Sequence, residues 1–576
     1  MSNNNRGSTN IEHSFSSLFS GVTGSRILNH EKDSSETEEI KYCVDFGLHM
    51  GGREIGSVEA FSNNYYLPDY KSIQFILLTH AHTDHEGLLP FLVRNGYRNP
   101  IYCTKATHAI LYHALVDNQK CLVREHHPLY ELTDVITTLS LIEDVEYNEP
   151  FYPIRKIEDE KEVINDRIKV TFFPNGHLLG SAQIFVQEQN YYGQRINVLF
   201  TGDYKRKNLF FDVKDIPKWI YKLPINIVIE STYGDKDSKD IKPGFKKYLL
   251  PAIERGGSVL IPVISLERTE IILYNLKRLQ EEKVLSEKVP IFLIGGGLAE
   301  TYVRMYKDRK DLGLNPEMQE FLPENFQIIN KDFLGLKKQK IILSTPGMMT
   351  GGTSLELARQ IVTNEKNLIL FTSFVVEGIG REYLETPKGK TIRYNGYNIT
   401  KHAEVRMCEE FSAHSKRDEL ENFLAKFHKI NLLIINHGDP EIKKKFARDI
   451  LNNKKINAKD VQILSKEVSF KVYSSDESEP KAFTAMDAWD IKHISPRIKN
   501  FRGTSKHNYR VKGKGKYYNV DTRKRKHTAK RYHYSTMFWF KSYSITYKLQ
   551  RHSRNWERRS FYFLQLISFL FSIKQF

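Results

Sequence analysis

The run Leu78-Thr79-His80-Ala81-His82-Thr83-Asp84-His85-Glu86-Gly87 places three imidazoles and a carboxylate within six residues, directly after the apolar stretch Phe75-Ile76-Leu77-Leu78. A short apolar run bounded by polar residues reads as a buried strand. The cluster then occupies the loop beyond the strand's carboxyl end, where a rigid sheet fixes otherwise mobile side chains. Neutral imidazole and carboxylate are the ligands that zinc and manganese accept, and such crowding lets one loop fold around two centres. The bland alternative is a polar loop with surface histidines. With 20 His in 576 residues, composition alone yields H-x-H-x-D-H in roughly one chain in a thousand.

The chain is too long for one hydrophobic core and implies two to four domains. Up to about residue 470, short β-branched runs alternate with helical segments, the pattern of an α/β protein with buried sheets. Strands are expected at Ile168–Phe173, Ile196–Phe200, Ile225–Ile229, Val259–Val263, Ile291–Ile294, Ile341–Ser344, Leu368–Thr372 and Leu432–Ile435. Helices are expected at Glu267–Glu282, Leu298–Tyr306, Lys416–Phe427 and Glu441–Leu451.

The hexad resembles the signature of the metallo-β-lactamase superfamily, and further elements of that signature follow in order. Asp45 lies in Val44-Asp45-Phe46-Gly47, His177 in Asn175-Gly176-His177-Leu178, and Asp203 in Thr201-Gly202-Asp203, with a glycine turn at 21–25. Singly, each reads equally well as a turn residue or a satisfied loop histidine. By resemblance, His80, His82 and His177 hold one metal, Asp84 and His85 help hold a second, Asp203 bridges them, and Asp45 orients the ligands.

Three later segments select a branch. Glu230 in Ile229-Glu230-Ser231-Thr232, His414 in Phe411-Ser412-Ala413-His414 and His437 in Asn436-His437-Gly438 resemble motifs A, B and C of the β-CASP nucleases. The resemblance spans roughly residues 15 to 470. It implies a metallo-β-lactamase αββα sandwich with an inserted β-CASP α/β cap domain and a basic C-terminal extension. The expected bounds are 10–235 for the first part of the sandwich, 236–410 for the cap, 411–475 for the second part, the RNA specificity segment, and 476–576 for the extension. A histidine at motif C goes with the RNA-processing members of the family, a valine with its DNA-repair branch.

The resemblance implies a metal-dependent ribonuclease that hydrolyses phosphodiesters with two divalent ions, zinc by default and manganese as the alternative. Two ions outweigh the charges of Asp84 and Asp203, so the centre suits an anionic phosphodiester better than an uncharged lactam. By the same resemblance, His437 completes the ligand set of the second metal with Asp84 and His85. His414 is the candidate general acid, with Glu230 orienting it. Both also read as a buried structural pair. Arg268 and the glycines Gly347, Gly351 and Gly352 are candidate RNA phosphate contacts, the glycines ahead of an expected helix N-terminus, and a structural use is about as good a reading. The cap departs from relatives at Gly295-Gly296-Gly297, at Glu267 where glycine is common, and at Lys416 where an acid often follows motif B. The competing functions are a DNA-directed β-CASP nuclease and a non-catalytic RNA-binding subunit of a processing complex.

The net charge of +17 resides entirely beyond residue 500, where 19 Lys or Arg face only Asp521 and Glu557. The body is neutral, so backbone attraction to nucleic acid belongs mainly to the tail. Its basic and aromatic run at 523–534, after a linker at 474–480, fits either an RNA-engaging extension or a solvated charge run. Cys43, Cys103, Cys121 and Cys408 show no C-x-x-C spacing, and the N-terminus shows no secretory pattern. A cytoplasmic protein is therefore expected. The apolar segment 561–573 falls short of the ~20 residues needed to span a bilayer, so no stable membrane insertion is expected. RNA is the expected partner, and a homodimer is left open.

Overall fold

A computed structural model describes residues 40–48 and 70–464, apart from 125–127, 159–160, 190–194, 242, 296, 334–337, 374, 376–377 and 395. It also describes strands Glu12–Ser17, Arg26–Glu31, Ser469–Val472, Tyr509–Gly513 and Lys516–Val520. The glycine turn at 21–25, the linker at 474–480, the basic run at 523–534 and the segment 561–573 lie outside the described residues. Within the extension, Tyr509–Gly513 pairs antiparallel with Lys516–Val520, a hairpin that the sequence pattern does not announce.

Two sheets face one another in the body. In the first, Ile40–Val44 runs parallel to Phe75–Leu77, which pairs with Ile101–Thr104 and that strand with Ile142–Val145; the antiparallel strands Arg26–Glu31, Glu12–Ser17 and Ser469–Val472 extend the other edge. In the second, an antiparallel meander of Ile168–Pro174, Ala182–Gln189 and Arg195–Phe200 continues in parallel through Pro224–Ile229, Lys429–Ile435 and Val461–Ile463. Successive side chains of a strand point to opposite faces. Tyr42, Val44, Phe75 and Leu77 therefore meet Phe172, Ile184, Val198, Phe200 and Ile434 between the sheets. The alternate residues Cys43 and Ile76 pack under Leu89–Arg94 and Lys105–Arg124, while Leu199, Ile227, Leu433 and Ile435 pack under Arg417–Leu424 and Pro440–Asn452. Both faces of each sheet are covered, which is why these strands read as unbroken apolar runs. The result is an αββα sandwich.

Between Pro224–Ile229 and Lys429–Ile435 the chain builds a second sheet domain, the cap. Its six strands are all parallel, in the order Phe326–Ile329, Ile291–Ile294, Ile341–Ser344, Val259–Pro262, Leu368–Phe371 and Glu404–Met407. Helices Arg268–Glu281 and Leu298–Asp308 cover one face, Gly352–Ile361 and Ile379–Glu385 the other. The first face shares one apolar core with the sandwich, since Leu111 and Leu115 belong to the same cluster as Leu273 and Tyr302.

The strands expected from sequence occur within a few residues of their expected limits. The helix expected at Glu267–Glu282 begins at Arg268, because Glu267 has φ +64° and stands outside helical space. Helix Lys105–Arg124, with Ile110, Leu111, Ala114 and Leu115 buried, was not among the expected elements. Among the described residues no helix is long and apolar enough to cross a membrane.

Candidate metal centre

Every candidate ligand stands just beyond the carboxyl end of a strand. Val44 pairs with Leu77, so Asp45 and His80 leave neighbouring strands together. Phe200 pairs with Val228 and Ile229 with Ile435, which brings Asp203, Glu230 and His437 together although the cap separates the last two in sequence. Ser231 N–H donates to the His437 carbonyl at 2.8 Å and so ties the two loops. Gly47 lets the Asp45 loop lie against the hexad: a Cβ there would stand 1.7 Å from the Asp84 carbonyl oxygen.

The rings are aimed by their own hydrogen bonds. His80 Nδ1 donates to the Thr79 hydroxyl at 2.9 Å, and that hydroxyl donates to Asp45 Oδ2 at 2.8 Å. His85 Nδ1 donates to the same oxygen at 2.7 Å, and Thr79 N–H to Asp45 Oδ1 at 2.7 Å. His177 Nδ1 donates to the Ala413 carbonyl at 3.0 Å. In His80, His85 and His177 this leaves Nε2 as the nitrogen with a free lone pair. Asn175 holds the His177 and Asp203 loops together, its Nδ2 donating to the carbonyls of Thr201 (2.8 Å) and Asp203 (2.6 Å).

The free nitrogens converge on Asp203. Its Oδ2 lies 3.6 Å from His80 Nε2 and 3.5 Å from His177 Nε2, while Oδ1 lies 3.3 Å from His85 Nε2 and 3.4 Å from His437 Nε2. His82 Nδ1 is 3.0 Å from His177 Nε2, and Asp84 Oδ2 is 3.2 Å from His437 Nε2. Among the described residues, three overlapping groups that could hold a metal ion follow: His80, His82, His177 and Asp203 on one side, Asp84, His85 and His437 on the other, and Asp203, Glu230, His414 and His437 between them. His80 Nε2, His85 Nε2 and Asp203 Oδ1 are buried with no hydrogen-bond partner. Lone pairs turned toward carboxylate oxygens in a buried site need a cation, so the donor set fits divalent metal.

Electrostatics agree. Burial and the neighbouring imidazoles push His80 well below its ordinary pKa; burial, against Asp84 and Asp203, brings His82 to about 4. These rings are neutral, the ligating form. Burial works against the charged form of His85 too, but Asp203, Asp45 and Asp84 outweigh it and raise its pKa, as expected where a proton stands in for a cation.

His414 Nδ1 donates to Glu230 Oε2 at 2.8 Å, and its ring lies 3.9 Å from Asp203 Oδ2. Glu230 is buried, and its Oε1 accepts from Tyr204 N–H. Burial disfavours the charged His414, yet Glu230 and Asp203 overcome it and raise its pKa. With Nδ1 committed, Nε2 is the nitrogen left to deliver a proton.

The cap candidates are placed differently. Arg268 is buried and its guanidinium donates to the Thr372 carbonyl. A Cβ on Gly347 would stand 2.7 Å from Ile264 N, so this glycine serves the approach of two loops. Gly352 has φ +62°, and only Gly351 faces open space. Sequence reasoning did not single out Thr79, Asn175 or Thr232, whose hydroxyl is 3.0 Å from His437 Nδ1. Thr79 and Thr232 stood inside segments already of interest, but nothing in their residue type marks a ring-orienting role.

The sandwich, its insertion and this cluster define a metallo-β-lactamase-type metallohydrolase. Family models match residues 269–382 as a Beta-Casp domain and 398–461 as a Zn-dependent metallo-hydrolase RNA specificity domain. It is 28% identical over 454 residues to transcription termination factor FttA of Methanosarcina mazei, covering 73% of this chain and 67% of that one. It is 26% identical to ribonuclease TTHA0252 of Thermus thermophilus, covering 70% and 88%, and 26% identical to endoribonuclease ysh1 of Aspergillus fumigatus, covering 60% and 40%. The chain spans about two thirds of the length of its archaeal relatives.

Proposed function

We propose that this protein is a metal-dependent ribonuclease that hydrolyses RNA phosphodiesters in RNA processing or decay. The observation that carries the reading is Asp203, whose two oxygens face two separate sets of histidines while the Glu230–His414 pair stands 3.9 Å away. His80, His82 and His177 would hold one ion, Asp84, His85 and His437 the other, with Asp203 shared. Zinc is the metal that the neutral imidazoles favour, manganese the alternative. When bound, the ions acidify water and offset charge developing on phosphate oxygens.

The chain's own groups do the rest. Asp45 and Thr79 hold His80 and His85 in a single tautomer. Glu230 keeps His414 charged and fixes its ring, so that His414 Nε2 can protonate the leaving 3′-oxygen, giving 5′-phosphate and 3′-hydroxyl ends. RNA rather than DNA is favoured by His437, seated by Thr232 as part of the ligand set. Two of the three relatives are named as ribonucleases, which supports the same reading. In the cap, Gly351 is the glycine best placed for a phosphate, while Arg268 serves as a brace.

The test is cleavage of 5′- and 3′-labelled single-stranded RNA with product sizing, beside DNA of the same sequence and with metal content measured. Cleavage of RNA but not DNA is expected. Equal cleavage of DNA would favour a DNA-directed nuclease, and a protein holding no metal would favour a non-catalytic RNA-binding subunit. Cysteine usage favours a cytoplasmic location, and sedimentation of the purified chain tests for a homodimer.

A further inference from the structure

Glu267 is a buried carboxylate in the cap, at a backbone conformation (φ +64°) that suits glycine. Three hydrogen-bond donors converge on its side chain. Oε2 accepts from Leu179 N–H at 2.9 Å, two residues beyond His177, and from the Tyr306 hydroxyl at 2.8 Å on cap helix Leu298–Asp308. Oε1 accepts from Asn208 Nδ2, five residues beyond Asp203. Asn208 cannot turn its amide over, because Nδ2 also donates to the Gly176 carbonyl at 3.0 Å and Oδ1 accepts from Phe210 N–H at 2.7 Å. Phe210 in turn packs edge-on against Tyr306, with centroids 5.3 Å apart.

We propose that Glu267 is a positioning residue through which the cap clamps the two loops carrying His177 and Asp203. The inference rests on the metal-centre reading. It explains why a carboxylate occupies a strained, buried position: three donors from both halves of the molecule converge on it, and no neutral side chain offers two acceptor oxygens there. Burial raises the carboxyl to about 7 against the pull of Asn208, Tyr306 and Leu179, so the buried acid is held by those bonds. Relaxing it would loosen the spacing between His177 and Asp203 without touching either.

The experiment uses the full chain loaded with zinc. Glu267→Gly relieves the backbone and removes all three bonds; Glu267→Gln keeps the shape and one acceptor oxygen but turns an amide toward Asn208. Zinc release to a colorimetric chelator, measured without RNA, should accelerate by about tenfold or more in Glu267→Gly, the scale for groups that orient metal ligands, and by less in Glu267→Gln. RNA cleavage should lose kcat with KM little changed. Circular dichroism checks folding, and if Glu267→Gly does not fold, Glu267→Gln decides. Folded variants that release zinc at the wild-type rate overturn the clamp alone. A wild-type protein that binds no zinc overturns the metal-centre reading and the clamp with it.

Discussion

The sandwich and the cap are built alike, with parallel strands whose carboxyl ends carry polar loops, yet those loops differ in which unpartnered polar atoms they bring together. In the sandwich, His80 Nε2, His85 Nε2 and Asp203 Oδ1 are buried without partners and face one another. In the cap, Arg268 bonds the Thr372 carbonyl while its Nε, Thr372 Oγ1 and both Glu270 oxygens are buried without partners, but none of these residues belongs to a group that could hold a metal ion, and Gly347 is pressed against the Val263–Ile264 backbone. Buried polar groups normally have partners. Unpartnered atoms occur in both regions, so what marks a metal site is their convergence as imidazole and carboxylate lone pairs in the sandwich, whereas a crowded glycine marks architecture.

Substitutions can break that contrast. Asp84→Ala or His85→Ala should lower RNA cleavage by more than about a thousandfold, since each removes a ligand from an ion that the chemistry requires; labelled-RNA assays on the purified variants measure it, and retained activity would remove the basis of the site. His414→Ala should cost about 10²–10⁴ in kcat, the range for a general acid, with metal content unchanged by elemental analysis. His437→Val should weaken the second ion by about 10–100-fold, read by zinc titration, and narrow the preference for RNA over DNA.

Two smaller effects sharpen the comparison. His414 must carry its proton to act, so the rate should fall as pH rises through its pKa; Glu230→Gln removes the chief charge that raises that pKa, and the fall should begin at lower pH in the pH–rate profile. Gly347→Ala should destabilise the cap by about 1–3 kcal/mol through overpacking, seen in thermal melts, and leave metal content and kcat unchanged. If it instead lowers kcat while the melting point holds, the turn belongs to the site.

Much of this was legible because strands and ligands announce themselves through residue type. The run Ile225–Ile229 reads as a strand buried on both faces, and a histidine cluster at a strand end reads as ligands. What stayed hidden depends on distant contacts. Thr79 is a ring-orienting hydroxyl only because Asp45, 34 positions earlier, curls to meet it. Arg268 read equally well as phosphate ligand or brace, and only the position of Thr372 distinguishes them. Glu267 was visible as an acid where relatives often carry glycine, but its three donors come from residues 179, 208 and 306, which no local pattern connects.

The side-by-side pairing of Ile225–Ile229 with Ile430–Ile435 also sets an order of assembly. Contacts between segments far apart in the chain form late, because closing a long loop costs entropy before any contact repays it. During synthesis, strand 224–229 waits with one edge bare until the cap and then residue 435 have emerged. Until then the nascent chain carries the hexad and Asp203 but not His414 or His437, so the candidate site is completed only after the cap has been made.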